Sequence, residues 1–102
     1  MYKVVYLPTA RRQLEDAVLY IAVDLCAPDA ADSLMREMDE AVRQLEEMPY
    51  RFPIYHTLYA MKHEIRFFPV MRYNVYYVVD ESTKTVEIWR VLHRLQRQDR
   101  CK

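Results

Sequence analysis

The chain contains no glycine in 102 residues. Glycine normally supplies the backbone freedom that tight turns need. Turns in this protein must therefore be built from Pro, Asp, Ser and Asn. The same absence removes whole classes of chemistry. A phosphate-cradling P-loop, a dinucleotide fingerprint and a glycine-flanked nucleophile elbow all require glycine at fixed positions. None of them can be written with this alphabet.

What remains fits a soluble α+β protein of one domain spanning residues 1–102. Charged residues make up 29% of the chain and the hydrophobic class 52%, which excludes a disordered or fibrous protein. No apolar run is long enough to span a membrane. The start, MYKVVYLPTARRQ, lacks the apolar stretch of a secretory signal. Two cysteines, Cys26 and Cys101, are too few for a disulfide scaffold, and they read as reduced thiols in the cytoplasm. His56, His63 and His93 show no metal-ligand spacing, so neither a metal nor a cofactor is expected.

Formal net charge is zero but unevenly spread: residues 1–60 carry −4 and residues 61–102 carry +4. Such a split suits a polyanionic or acidic partner on one face, and equally suits two differently charged solvated faces.

The order of elements follows from the hydrophobic period. Tyr2 to Leu7 is β-branched and aromatic and reads as a strand ended by Pro8. Thr9 stands where an N-cap belongs, and Ala10, Leu14, Ala17, Val18, Ile21 and Leu25 follow at helical spacing. Pro28 breaks that helix, and Asp29 and Asp32 suit the start of a second. The second helix has an apolar stripe of Ala31, Leu34, Met35, Met38, Val42 and Leu45, with Asp39 and Arg43 placed as an ion pair on its acidic face. After an irregular stretch from Met48 to about His56, the period changes to that of strands. These run from Met61 to Phe68, ended by Pro69, then from Tyr73 to Val79, then from Thr85 to Leu92. Their links are too short for parallel crossovers, so they predict an antiparallel meander. The result is a β-α-α-β-β-β two-layer domain, with an antiparallel helix hairpin packed on a small, mainly antiparallel sheet. The sheet face away from the acidic helices is then the expected anion-facing surface.

Several stretches resemble the RelE/ParE superfamily of bacterial type II toxins. Tyr2-Lys3-Val4-Val5-Tyr6-Leu7-Pro8-Thr9-Ala10 is similar to that family's first strand and helix entry. Pro28-Asp29-Ala30-Ala31 and Leu45-Glu46-Glu47-Met48-Pro49 resemble the ends of its second helix. Ile65-Arg66-Phe67-Phe68-Pro69-Val70, Tyr73 and Tyr77-Val78-Val79-Asp80 resemble its central strands, and Ile88-Trp89-Arg90-Val91-Leu92-His93 its last. The resemblance runs over about residues 2–97. It implies a toxin neutralised by a cognate antitoxin, directed either at DNA gyrase or at mRNA on the ribosome; the alternatives are a degenerate, non-toxic module that still binds the antitoxin and an ordinary α+β nucleic-acid binder. The Arg-Val-Leu-His ending, with no aromatic residue after Trp89, resembles the gyrase-directed branch more closely.

In a nuclease, His93 would serve as acid or base, while Arg66, Arg72 and Arg90 would hold the phosphate. His63 and Lys62 are weaker candidates. His93 also fits an ordinary strand-end histidine held by the backbone. Strand alternation places Arg90 and His93 on opposite faces unless a bulge intervenes or the strand stops short of His93. For binding, Tyr73, Arg94 and Arg97 are the candidate contact residues, and Tyr73, Tyr76 and Tyr77 serve equally well as strand and core residues.

Overall fold

The computed structural model describes residues 1–55 and 63–95. His56, Lys62, Arg97 and Cys101 therefore lie outside the described residues. Strand β1 (Lys3–Tyr6) leads into α1 (Pro8–Leu19), which widens into a π-helical turn over Tyr20–Asp24. Helix α2 (Pro28–Glu47) is followed by β2 (Ile65–Val70), β3 (Tyr73–Asp80) and β4 (Thr85–His93). The element order is the one the sequence predicts.

The boundaries differ in instructive ways. Helix α1 opens on Pro8 itself, with Leu7 in the capping position and no side-chain cap, so Thr9 is an exposed first-turn residue rather than the cap. Pro8 fits there because its missing N–H is one that no helix satisfies internally. At the far end, Leu25 is exposed, not part of the buried stripe. In α2 the buried positions are Ala31, Leu34, Met38, Ala41 and Leu45. That spacing leaves Met35 on the flank of the stripe, 39% exposed, where the sequence reading had it in the core. Arg43 pairs with Glu40 at 2.8 Å, one turn back, and not with Asp39 as its spacing suggested.

The sheet order is β1-β4-β3-β2. β1 runs parallel to β4, with Val4 opposite Val86 and Tyr6 opposite Ile88, and the other two pairings are antiparallel. β2 begins at Ile65 and continues through Pro69 to Val70, so Pro69 does not end it. As an edge strand, β2 tolerates a residue without an N–H. The first half of that edge is covered by the chain before it. Phe67 N–H donates to the Pro53 carbonyl at 3.1 Å and Tyr55 N–H to the Ile65 carbonyl at 2.6 Å.

The missing glycines leave a mark. Cys26, Met71 and Lys84 all have positive φ, between 52° and 54°. Each sits where a glycine commonly stands: after the helix end, in the β2–β3 turn and in the β3–β4 turn. At Cys26 the geometry lets Cys26 N–H reach the Val23 carbonyl and Ala27 N–H the Ile21 carbonyl, which closes the hairpin between the helices.

One face of the sheet packs on the helices. Phe68, Val75, Tyr77, Val86, Ile88 and Val91 meet Leu14, Leu34, Met38 and Leu45 there. The opposite face carries a second cluster, in which Ile65, Tyr76 and Val78 are buried against Tyr55, Phe67, Trp89 and Leu92. This corrects the expectation of an anion-facing surface. Among the described residues that face is mainly apolar and aromatic, because β2 and β3 present alternating hydrophobic side chains to both sides.

Candidate functional site

A bulge in β4 decides which candidate residues can act together. Tyr76 is opposite Arg90 and Tyr77 is opposite Ile88, so Trp89 is an extra residue between them. Before the bulge, Val86 and Ile88 face the helices. After it, Val91 faces them, paired with Val75, and His93 follows, paired with Tyr73. Arg90 and Leu92 share the other face with Tyr76 and Asn74. The bulge lies N-terminal to Arg90 and leaves the odd spacing to His93 intact. Arg90 and His93 therefore sit on opposite faces of the sheet. The Arg90 guanidinium donates to the Trp89 carbonyl at 2.8 Å.

Arg66 is also removed from the set. Its side chain is 15% exposed. It donates to the Phe52 carbonyl at 2.7 Å and the Tyr50 carbonyl at 3.3 Å, and pairs with Glu64 at 3.0 Å. Its guanidinium also lies over the Tyr50 ring, 5.2 Å from the centroid. Nearby, Tyr77 is fully buried and its hydroxyl donates to the Pro49 carbonyl at 2.6 Å. Burial pushes that phenol up to about 12 against the opposing pull of Arg66. Arg66 and Tyr77 thus hold down the segment after α2 through its carbonyls.

Four candidates do come together, at the end of the sheet formed by the β2–β3 turn and the end of β4. The Tyr73 and His93 rings meet edge to face with centroids 5.1 Å apart. Arg94 N–H donates to the Arg72 carbonyl at 2.8 Å, and the Arg94 guanidinium donates to the Met71 carbonyl. Arg72 and Arg94 are exposed while Tyr73 is buried. Burial raises the Tyr73 phenol above its ordinary range, with Tyr20 adding to the shift. His93 Nδ1 accepts the Leu95 N–H at 3.1 Å, so the neutral ring carries its proton on Nε2. Arg97 lies outside the described residues.

Of these residues Tyr73, His93 and Leu95 line an open cleft of about 590 Å³ between α1 and β4. Gln13, Asp16, Ala17 and Tyr20 form its helical wall, and Val91 and His93 lie on the strand side. The sequence reading missed the helical wall. Gln13 and Asp16 fall between the apolar positions of α1 and look like plain surface residues until β4 is placed beside them. Gln13 Oε1 accepts the Val91 N–H at 2.7 Å, a contact across 78 residues.

A second missed cluster lies at the other end of the sheet. Glu81 accepts from the Tyr2 hydroxyl at 2.9 Å, from the Tyr50 hydroxyl at 2.5 Å and from Lys84 Nζ at 2.5 Å. The Lys84 ammonium first, then the two phenols, hold its carboxyl down to about 2. The same bond raises the Tyr50 phenol to about 12. Its location beside the β3–β4 turn, away from the cleft, makes it a structural clasp. Among the described residues no group of three or more His, Cys, Asp or Glu is placed to hold a metal ion. No described helix is long and apolar enough to cross a membrane.

Comparison with known proteins agrees with this architecture. The chain is similar in structure to a toxin-antitoxin protein of the chromosomal ParDE system from P. aeruginosa, with a TM-score of 0.68, 18% identity, and 91% of this chain and 96% of that one covered. It is similar to a chain of the RelBE2 toxin-antitoxin complex of Mycobacterium tuberculosis, with a TM-score of 0.63, 24% identity, and 91% and 98% covered. A third likeness is to the archaeal RelE–RelB complex from Pyrococcus horikoshii OT3, with a TM-score of 0.62, 18% identity, and 94% and 98% covered. No curated protein matches the sequence. Residues 4–98 match the family described as the ParE toxin of the type II toxin-antitoxin system parDE. The strand-helix-helix-meander order and a match over almost the whole length lead to one assignment: the chain belongs to the ParE toxin family of type II toxin-antitoxin systems.

Proposed function

We propose that this protein is a growth-arresting toxin that acts in the cytoplasm by binding DNA gyrase, and that a cognate antitoxin neutralises it. The observation that carries the choice of target is the separation of the nuclease candidates. Cleavage of RNA by its own 2′-hydroxyl needs a proton acceptor, a proton donor and a phosphate clamp around one phosphate. Here Arg66 is spent on loop carbonyls, and Arg90 faces away from His93. A poison that acts by contact needs no such assembly. It needs an exposed, charged surface, and Arg72 and Arg94 supply one at the sheet end.

The second reading, a ribosome-dependent mRNA nuclease, keeps one observation in its favour: His93 lies at the same sheet end as Arg72 and Arg94. One substitution separates the two. His93→Gln cannot titrate but keeps hydrogen-bonding capacity. For a gyrase poison, growth arrest on induction persists in His93→Gln, falls in the double variant Arg72→Glu with Arg94→Glu, and gyrase supercoiling is inhibited in vitro. Collapse of toxicity in His93→Gln, with cleaved mRNA on translating ribosomes and untouched supercoiling, would overturn the gyrase assignment.

A further inference from the structure

A helix on the outside of a domain normally turns a polar face to solvent. The end of α1 and its π-helical turn do not. Among the described residues nine large hydrophobic side chains are exposed, and four of them fall within seven positions, at Leu19, Tyr20, Val23 and Leu25. Leu19, Val23 and Leu25 are each more than half exposed. Single exposed hydrophobics are ordinary, whereas a cluster at one tip of the molecule marks a contact surface. Arg12, Asp16, Leu19 and Val23 are all exposed and recur at helical spacing, on the side away from the buried Leu14, Ala17 and Ile21.

The charges around this patch have a symmetry of their own. Arg12 and Asp24 lie six residues to either side of Val18, about 18 Å apart along the helix. Both are exposed, and among the described residues neither has an ion pair or a side-chain hydrogen bond. The π-helical turn helps to align them. Leu25 N–H donates to the Tyr20 carbonyl, five residues back, at 3.0 Å. A turn closed over five residues advances each one by a smaller angle than an α-helix does. Asp24 therefore stays beside Val23 instead of passing to the flank. The outcome is one stripe with a cation at its start, a carboxylate at its end and apolar side chains between them.

Such a stripe is complementary to itself in one orientation. Two copies packed with parallel helices would set Arg12 against Arg12 and Asp24 against Asp24. Packed antiparallel about a twofold axis near Val18, each Arg12 faces the partner's Asp24. We propose that this face of α1 is the contact surface between two copies of the chain, held as an antiparallel, twofold-symmetric pair. Leu19 meets the partner's Leu19 near the axis. The stem of Arg12 lies over the partner's Val23, and its guanidinium pairs with the partner's Asp24. Asp16 and Tyr20 also belong to the helical wall of the cleft, so a second copy seated on α1 narrows access to it. The contact falls short of the about 20–30 residues per side of a standard interface, so the pair dissociates on the order of 10 μM.

Sedimentation equilibrium of the full chain, purified free of any other protein, tests this over a range from about 1 μM to about 500 μM. The chain passes from monomer to dimer within that range. Arg12→Glu and Asp24→Arg each raise the dissociation constant by about 2- to 30-fold, the worth of two exposed ion pairs. The double variant, Arg12→Glu with Asp24→Arg, restores the pairs with their signs exchanged and returns the constant to that of the unmodified chain. Leu19→Asp sets two carboxylates together near the axis and leaves a monomer throughout. All these positions are exposed, and circular dichroism confirms that each variant is folded. A chain that stays monomeric to the highest concentration overturns the proposal. A dimer indifferent to Leu19→Asp, or single charge variants that the double variant does not rescue, places the contact elsewhere and overturns it too. A monomeric chain whose Leu19 and Val23 become protected only on binding the protein encoded by the adjacent reading frame would assign the patch to that partner and overturn the second copy as occupant.

Discussion

Replacing Arg66 by leucine separates a structural from a catalytic arginine. The side chain is mostly buried, and its two best contacts are to backbone carbonyls, those of Phe52 at 2.7 Å and Tyr50 at 3.3 Å. Leucine offers neither donor and leaves the Phe52 carbonyl to find water in a half-buried position. Hydrogen bonds from a charged donor contribute about 1.5–3 kcal/mol, and an orphaned acceptor costs about 1–3 kcal/mol. The Glu64 pair adds little, since that carboxylate is 56% exposed. Leucine recovers part of the loss by burying apolar area. The balance is a destabilisation of about 2 kcal/mol. For a domain of this size that lowers the melting temperature by roughly 8–16 °C. Thermal and urea melts measure it, with the urea slope unchanged if both variants unfold from the same compact state. Growth arrest should persist at a temperature where Arg66→Leu is still folded. A variant with an unaltered melting temperature and no toxicity would refute the reasoning and place Arg66 on the target.

Two further perturbations probe the turns and the clasp. Cys26→Gly, at an exposed position, relieves left-handed strain of about 1–2 kcal/mol and loses about 0.4–1 kcal/mol through a freer unfolded chain, so it should raise the melting temperature slightly; a drop of several degrees would contradict the strain argument. Glu81 titrates near 2 in the fold against an ordinary 4.5, so its contribution is complete above about pH 4.5 and is lost as pH falls toward 2. A pH series of urea melts on Glu81→Gln should show that part of the acid sensitivity removed; an unchanged acid limb would place the sensitivity elsewhere.

The sequence carried the element order because its signals are local. Pro8 and Pro28 punctuate the helices, and the change of period near Ile65 marks the sheet. What it could not carry were features that depend on a partner in space. Pro69 ends a strand in any local reading, and only its place on an edge lets β2 run past it. Met35 and Ala41 flank the α2 stripe from opposite sides, and which flank is buried depends on the angle at which α2 meets the sheet. The Gln13–Val91 contact and the Glu81 clasp join residues 78 and 79 positions apart, with nothing in either local sequence to announce them. The face problem was posed correctly at the sequence level, since Arg90 and His93 have opposite parity. A bulge was among the possible resolutions, and one exists, but at Trp89 it acts on the wrong side of Arg90.

That position of the bulge links the fold to the function. Without it, Ile88, Arg90 and Leu92 would all face the helices, and an arginine would be driven into the core. The extra residue at Trp89 turns Arg90 outward and brings Val91 into the place opposite Val75. The same shift sends His93 to the helix side, beside Tyr73 and the cleft. It also sets the direction of the backbone, so that Val91 N–H and His93 N–H point toward α1 rather than β3. Core packing and the open edge beside Gln13 therefore depend on the shift at Trp89, whereas the separation of Arg90 from His93 follows from their odd spacing alone. Deleting Trp89 would join Ile88 directly to Arg90, and regular alternation would then keep Arg90 outward and Val91 and His93 on the helix side, with their N–H groups still toward α1. The deletion variant should therefore still fold, with Val91 opposite Val75, losing only the packing of Trp89 against Ile65, Tyr76 and Val78 on the outer face; a chain without a cooperative melt by circular dichroism would refute this account of the bulge.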